Sequence, residues 1–270
     1  METYTLRSGA EIPALGLGTW QNKGQDCVNA VSKALEMGYR HIDTADIYDN
    51  HEYVGQGIKK AEINRDELFV TSKLFRHHLQ YEQVLEKGKK ILDELNLEYL
   101  DLLLIHWPVR SVPLEETLEA MHELQKEGLV RDIGVSNFTI RHLEEIKEKS
   151  EVPIANNQVE FHPYLYQKEL LDYCQENGLV VTAYSPLARG EIFSDQDIID
   201  LSQEFSRSPA QLVLKWLLDK DMVVIPKAST IEHIKENMQL FSWELPDKAR
   251  EVLDGKNRDH RIIDPSFGDF

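Results

Sequence analysis

Asp101-Leu102-Leu103-Leu104-Ile105-His106 reads as a strand, a short aliphatic run that stops at a histidine. The pattern occurs twice more upstream. Tyr39-Arg40-His41-Ile42-Asp43 ends on an acid, and Leu68-Phe69-Val70-Thr71-Ser72-Lys73 ends on a base. Tyr48 follows Asp43 in the next loop. An acid, a base, a phenol and an imidazole at successive strand ends can build a tuned proton donor.

The rhythm extends in both directions. Two short strands around Tyr4–Leu6 and Glu11–Ile12 precede a first core strand near Leu15–Gly18, and the helix 26–37 carries Val28, Val31, Ala34 and Leu35 on one face. Helices are expected at 51–60, 80–95 and 114–127, after the strands that end on Asp43, Lys73 and His106. The second half repeats the alternation, with strands at 130–135, 155–160, 179–184 and 222–225. Its helices fall at 139–149, 168–177, 195–205, 209–220, 231–240 and 246–254. Eight strand–helix units in 270 residues are roughly 34 residues each, the size of a (β/α)8 unit. No linker or low-complexity segment divides the chain, so a single domain over residues 1–270 is expected. The expected fold is α/β, a (β/α)8 TIM barrel with an N-terminal β-hairpin and extra C-terminal helices. A doubly wound open sheet is the rival. Gly16-Leu17-Gly18-Thr19-Trp20-Gln21 begins like its dinucleotide fingerprint but lacks the third glycine.

Composition narrows the function classes. Apolar residues make up 41% of the chain, enough for a sizeable core. No apolar stretch approaches the ~20 residues that span a bilayer, and the N-terminus lacks the layout of a secretory signal. Cys27 and Cys174 are the two cysteines, too few for a disulfide framework, and a reducing cytoplasm is expected. With 30 basic against 47 acidic residues, the net charge of −17 repels nucleic acid phosphates and anionic lipid. A phosphorylated ligand would need a local basic cluster or a helix N-terminus.

Barrels of this kind work at the C-terminal ends of their strands. A phenol with a pKa near ~10 is a poor donor at neutral pH, and an adjacent ammonium is expected to lower it. Asp43 would hold that lysine charged, and His106 would orient a substrate oxygen. The set suits proton transfer to a carbonyl oxygen. Each residue also has an ordinary reading: Lys73 as a surface charge, His106 as a strand cap, Tyr48 as a half-buried aromatic. Four together make those readings weaker.

The motifs extend well beyond these four. Gly18-Thr19-Trp20, His41-Ile42-Asp43-Thr44-Ala45-Asp46-Ile47-Tyr48 and Thr71-Ser72-Lys73-Leu74 are followed by Asp101-Leu102-Leu103-Leu104-Ile105-His106-Trp107-Pro108. Gly134-Val135-Ser136-Asn137-Phe138, Asn157-Gln158-Val159-Glu160, Ala183-Tyr184-Ser185-Pro186-Leu187 and Ile225-Pro226-Lys227 complete the series. In these the chain resembles the aldo-keto reductases over nearly its whole length. It looks like the short prokaryotic-type members, among them 2,5-diketo-gluconate and methylglyoxal reductases. The resemblance implies NADPH-dependent reduction of small aldehydes or ketones, with NADH as the alternative cofactor. It makes Tyr48 the general acid, Lys73 and Asp43 its tuning pair, and His106 the donor that orients the carbonyl. Ser136, Asn137 and Gln158 would bind the nicotinamide carboxamide, and Tyr184 would stack on the ring. Thr19 and Trp20 would border the cofactor, with Ser185 and Leu187 along the pyrophosphate. Lys227, Ser229 and Thr230 would hold the adenosine 2′-phosphate, and Glu236 and Asn237 the adenine. Trp20, Phe75 and Trp107 would wall the substrate pocket beside His106. A lysine and hydroxyls before a helix N-terminus form a sound phosphate site, although Ser229-Thr230 alone reads as an ordinary N-cap.

Asp49-Asn50-His51-Glu52 departs from the family's common Gly-Asn-Glu while keeping Asn50, and two positions near the expected phosphate site depart as well. His233 stands where many members place an arginine against the 2′-phosphate, and Ala228 replaces a frequent serine. Histidine is mostly neutral near pH 7, so a weaker preference for NADPH is expected. His77-His78 lacks a third ligand at a telling spacing, and no metal is expected. A glycosidase pair would need carboxylates facing each other across a sugar, and Glu160 is the strongest acidic candidate. A cofactor-sensing subunit that binds without turnover is a further alternative. The expected partner is a small carbonyl compound, with no nucleic acid or membrane, and a cytoplasmic monomer is anticipated. The tail Asp264-Pro265-Ser266-Phe267-Gly268-Asp269-Phe270 can either close over the pocket or stay disordered.

Overall fold

The alternation becomes a ring of parallel strands in the computed structural model, which describes residues 2–228 and 230–270. Strands β1 (Thr3–Thr5) and β2 (Glu11–Pro13) pair antiparallel as the N-terminal hairpin. The ring strands are β3 (Leu17–Gly18), β4 (His41–Asp43), β5 (Phe69–Leu74) and β6 (Leu100–Ile105). They continue as β7 (Val130–Ser136), β8 (Asn156–Glu160), β9 (Val180–Tyr184) and β10 (Met222–Val224). Each pairs in parallel with the next in chain order. The backbone closes the ring: Gly16 donates its N–H to the Val224 carbonyl at 2.9 Å, and Val224 donates to the Ala14 carbonyl at 2.8 Å. Gly18 then bridges Lys227. A Cβ at Gly18 would lie 2.7 Å from the Ile225 carbonyl oxygen. The glycines that imitate a nucleotide fingerprint therefore serve barrel closure.

Helices α1 (Gly24–Glu36), α2 (His51–Ala61), α3 (Tyr81–Leu95), α4 (Leu114–Lys126), α5 (Ile140–Lys149) and α6 (Lys168–Glu176) link successive strands. After β9 come a 3-10 segment (Ala188–Ser194), α7 (Gln196–Phe205) and α8 (Pro209–Leu218). Helices α9 (Ile231–Asn237) and α10 (Asp247–Asp254) follow β10. The start of α8 shows how sequence sets these limits. Ser208 accepts from the Gln211 N–H while the Gln211 side chain accepts from Ser208, and Pro209 occupies the first turn. Boundaries agree with the sequence reading to within a residue or two, except that α9 stops three residues short of 240.

Strand side chains alternate between two cores. On β6, Leu103 and Ile105 join the larger cluster beneath the helices. Leu102 and Leu104 join a smaller one inside the barrel, which Leu6 and Ile12 of the hairpin region help to fill. At the N-terminal end of β6, Asp101 is held by Arg65 at 2.6 Å, Arg131 at 3.1 Å and the Val70 N–H at 2.8 Å. That end is locked by structural ion pairs, and the opposite end carries the site.

Candidate active site

Register decides which side chains meet. Gly18 lies opposite Asp43, Asp43 opposite Thr71, and Lys73 opposite Leu104. Asp43, Lys73 and His106 therefore emerge at one edge of the ring. Lys73 Nζ donates to Asp43 Oδ1 at 2.5 Å and to the Thr44 carbonyl at 2.8 Å, and both charged groups are essentially excluded from solvent. Gln158 Nε2 donates to the other Asp43 oxygen at 2.8 Å. Burial holds the Lys73 ammonium below its ordinary pKa, with the charge and hydrogen bond of Asp43 opposing.

Tyr48 sits above this pair. Its ring lies 5.4 Å from Lys73 Nζ and meets the His106 ring edge-on, with centroids 5.9 Å apart. Asp46, which opens the 3-10 turn 46–48, anchors it through Lys87 at 2.9 Å and His78 at 2.7 Å. Asn50 fixes the other flank, donating to the Thr19 and Asn22 carbonyls at 3.0 Å and accepting from Thr44 Oγ1 at 2.7 Å. The Tyr48 phenol is pushed well above the ordinary tyrosine range, first by burial, then by the charges of Asp43 and Tyr184, against Arg189. This reverses the expected lowering by Lys73. At the phenol the nearby charge that counts is the carboxylate of Asp43, which raises the pKa, and not the ammonium bound to it. His106 is held far below its ordinary pKa by burial and by the Lys73 charge, so its imidazole is neutral at pH 7. Its buried Nδ1 has no hydrogen-bond partner among the described residues. The site thus presents a protonated phenol beside a neutral imidazole.

A cavity of about 270 Å³ opens over these groups. Trp20, Phe75 and Trp107 all reach its wall. The tail closes it. Glu160, fully buried, accepts from the N–H groups of Ile262 and Ile263 at 2.7 and 2.8 Å and pairs with His162 at 2.9 Å. Burial pushes this carboxyl up, but those hydrogen bonds outweigh it and keep it ionised. Glu160 is therefore engaged in holding the tail, not available as a hydrolytic acid. Phe267 lies edge-on to Trp107 and Phe75 with centroids 5.5 and 6.2 Å apart. Asp269 is gripped by Arg110, Arg141 and His142 at 2.8, 2.7 and 3.1 Å.

The remaining sequence candidates fall into two groups. Asn137, Gln158, Tyr184 and Ser185 line the cavity. Asn137 donates to the His106 carbonyl at 2.9 Å and accepts from the Tyr184 hydroxyl at 2.7 Å; Ser136 is buried beside it. Thr19 is buried on the Asp43 carbonyl, and Leu187 packs on the core. The second group lies outside the cavity wall. Lys227 is exposed beside Gly18, Thr230 caps α9 by accepting from the His233 N–H, and His233 is exposed. Glu236 is half-buried and Asn237 buried. Ser229 lies outside the described residues. Thr230 borders a groove of about 1050 Å³ between α1 and α9 that also carries Lys23 and Lys33.

Sequence reasoning missed those two lysines, Arg189 and Ile263, and left open whether the tail closes over the pocket; its Pro265 and Phe267 stand at the cavity wall. The two phenylalanines of the tail, Phe267 and Phe270, were the available signal; Arg189 offered none. His78 bonds Asp46, and among the described residues no cluster of three or more His, Cys, Asp or Glu could hold a metal.

This arrangement has counterparts among known proteins. The family model described as "Aldo/keto reductase family" matches residues 14–258. The chain is 41% identical to a glyoxal reductase of Bacillus subtilis, over 97% of this chain and 95% of that one. It is 42% identical to a methylglyoxal reductase of Escherichia coli, over 92% and 90%. Among solved structures, an aldo-keto reductase of Bombyx mori in complex with NADP superposes with a TM-score of 0.91 at 34% identity, over 98% and 95%. With its barrel, its strand-end residues and these likenesses together, the chain belongs to the aldo-keto reductase family, oxidoreductases that act on carbonyl groups.

Proposed function

We propose that the protein reduces small aldehydes and ketones to alcohols with NADPH, methylglyoxal or a keto-sugar acid being the natural substrate. The observation that carries this is the buried Asp43–Lys73 pair beneath a protonated Tyr48 and a neutral His106, all at one apolar cavity. A nicotinamide cofactor fits the residues present. The cavity has amide groups from Asn137 and Gln158 and the flat ring of Tyr184, and the α1–α9 groove carries Lys23 and Lys33 beside Asp26 and Glu232. Bound there, the reduced cofactor supplies hydride to the carbonyl carbon.

The chain's own residues do the rest. The neutral imidazole of His106 donates to the carbonyl oxygen and aims it at Tyr48. The Tyr48 phenol gives its proton to that oxygen as negative charge builds on it. The Asp43–Lys73 pair fixes the floor, leaving no mobile counter-ion. The aromatic wall and the tail keep water out. Lys227, Ser229 and Thr230 would hold the 2′-phosphate, with Glu236 and Asn237 at the adenine. Residues 1–270 act as one domain, a cytoplasmic monomer without nucleic acid or membrane partners, in keeping with two buried unpaired thiols and the charge of −17. No helix among the described residues is long and apolar enough to cross a membrane.

The test is oxidation of NADPH with a panel of carbonyl compounds that includes methylglyoxal, run beside NADH. Turnover with NADPH is the expected result. Tight NADPH binding without turnover on any carbonyl would favour a cofactor sensor instead. His233→Arg should tighten NADPH relative to NADH by about two- to tenfold, because arginine brings a permanent charge and a planar donor fork to an exposed position. Unchanged relative dissociation constants would mean that residue 233 does not face the phosphate.

A further inference from the structure

His51 is buried, and its ring is bonded at both nitrogens. Nδ1 lies 2.9 Å from Glu94 Oε2 of α3, and Nε2 lies 2.9 Å from Ser72 Oγ of β5. Carboxylate, imidazole and hydroxyl stand in the order of a nucleophile triad. Ser72, however, is sealed from solvent, and its register partner Leu103 belongs to the core beneath the helices. The hydroxyl faces the helix layer and not the cavity, so no substrate reaches it.

The bonds instead join the elements that carry the reacting groups. His51 opens α2 three residues after Tyr48, and Ser72 directly precedes Lys73. Glu94 shares α3 with Lys87, which holds Asp46 at 2.9 Å; the two lie two helical turns apart on one face. The segment 46–51 is thus fastened to α3 at both ends, acid to base at Asp46 and imidazole to acid at His51, with Tyr48 between them. Burial holds the His51 ring below its ordinary pKa, against the hydrogen bond and charge of Glu94, so it is neutral at pH 7. A carboxylate only accepts, so Nδ1–H donates to Glu94 and Nε2 is left to accept from the Ser72 hydroxyl. One tautomer satisfies both neighbours, which fixes the ring and with it the start of α2.

We propose that His51 is a positioning residue for the general acid, holding the Tyr48 turn against Ser72 and Glu94 so that the phenol stands in reach of the carbonyl oxygen. This rests on the carbonyl-reductase reading above. The His51–Ser72 bond sets the turn against the strand at the residue before Lys73, so the phenol and the ammonium keep a common reference.

The test is single-turnover reduction of the best aldehyde of the panel by the NADPH complex, which reports the chemical step, with NADPH dissociation constants from fluorescence. His51→Leu should slow that step about tenfold or more, the scale of a displaced reacting group, while NADPH binds as it does to the parent. His51→Gln puts an amide where Nε2 lies and should recover most of the rate. Ser72→Ala, a small change that leaves the ring on Glu94, should lose part of it. In a Tyr48→Phe background His51→Leu should add little, because it acts through the phenol. Unchanged rates in His51→Leu and Ser72→Ala overturn the proposal, whatever their thermal stability. So does a loss that is undiminished in the Tyr48→Phe background, which would assign His51 to the fold alone. Should His51→Leu not fold, Ser72→Ala decides by the same two readings. A parent that reduces no carbonyl overturns the carbonyl-reductase reading itself, and this proposal with it.

Discussion

Tyr48→Phe is expected to bind NADPH as the parent does and to lose about 100- to 10,000-fold in carbonyl reduction, the range of a positioned general acid. The substitution removes one hydroxyl and leaves the ring. Its edge-on contact with His106 and its packing over Lys73 therefore survive, and little structural loss should accompany the kinetic one. A raised phenol pKa is compatible with this role. The acceptor is a developing alkoxide, comparable in basicity to hydroxide (water pKa ~15.7), so transfer from a weak phenol still runs downhill. Burial also ensures that the proton is present when the carbonyl arrives. Steady-state rates with a reactive aldehyde and fluorescence titration of NADPH separate the two quantities. Loss of cofactor affinity in parallel with rate would make Tyr48 a binding residue, and a rate within a few-fold of the parent would remove it from the chemistry.

The division between what could and could not be read in advance follows the range of the forces involved. Strand ends were legible because a short aliphatic run bounded by polar residues is a local signal, and Asp43, Lys73 and His106 terminate three such runs. Helix limits were legible for the same reason: Ser208, Pro209 and Gln211 encode the start of α8 within four consecutive positions. The direction of the Tyr48 shift was not legible. It depends first on burial of the phenol, and then on the charge of Asp43, which Gln158 holds from a strand more than a hundred residues away. The tail was ambiguous because its anchors are distant in sequence. Glu160 grips backbone at 262 and 263, and Asp269 finds Arg110, Arg141 and His142. Arg189 carried no pattern at all, since its significance comes from the Trp20 face it covers.

Lys73→Met and Asp43→Asn, each alone, are expected to destabilise the protein by about 3–5 kcal/mol, because each removes one side of an ion pair that water does not reach. That is a large fraction of the ~5–15 kcal/mol that holds an ordinary domain folded. The Asp43→Asn, Lys73→Met double variant should be more stable than either single. No buried charge remains, and the asparagine oxygen can still accept from Gln158. Urea unfolding of the four proteins measures the coupling. Turnover should not follow stability: the double variant is expected to fold well and to stay as inactive as the singles. Its phenol and imidazole would rest on an apolar floor, without the paired charges that fix the site's electrostatics. A double variant that regains activity would show that the pair serves the fold alone. One no more stable than the singles would mean that the pair's hydrogen bonds, not its charges, carry the structural load. Recovery of stability without recovery of rate leaves chemistry as the reason for keeping an ion pair where hydrophobic packing would serve the fold as well.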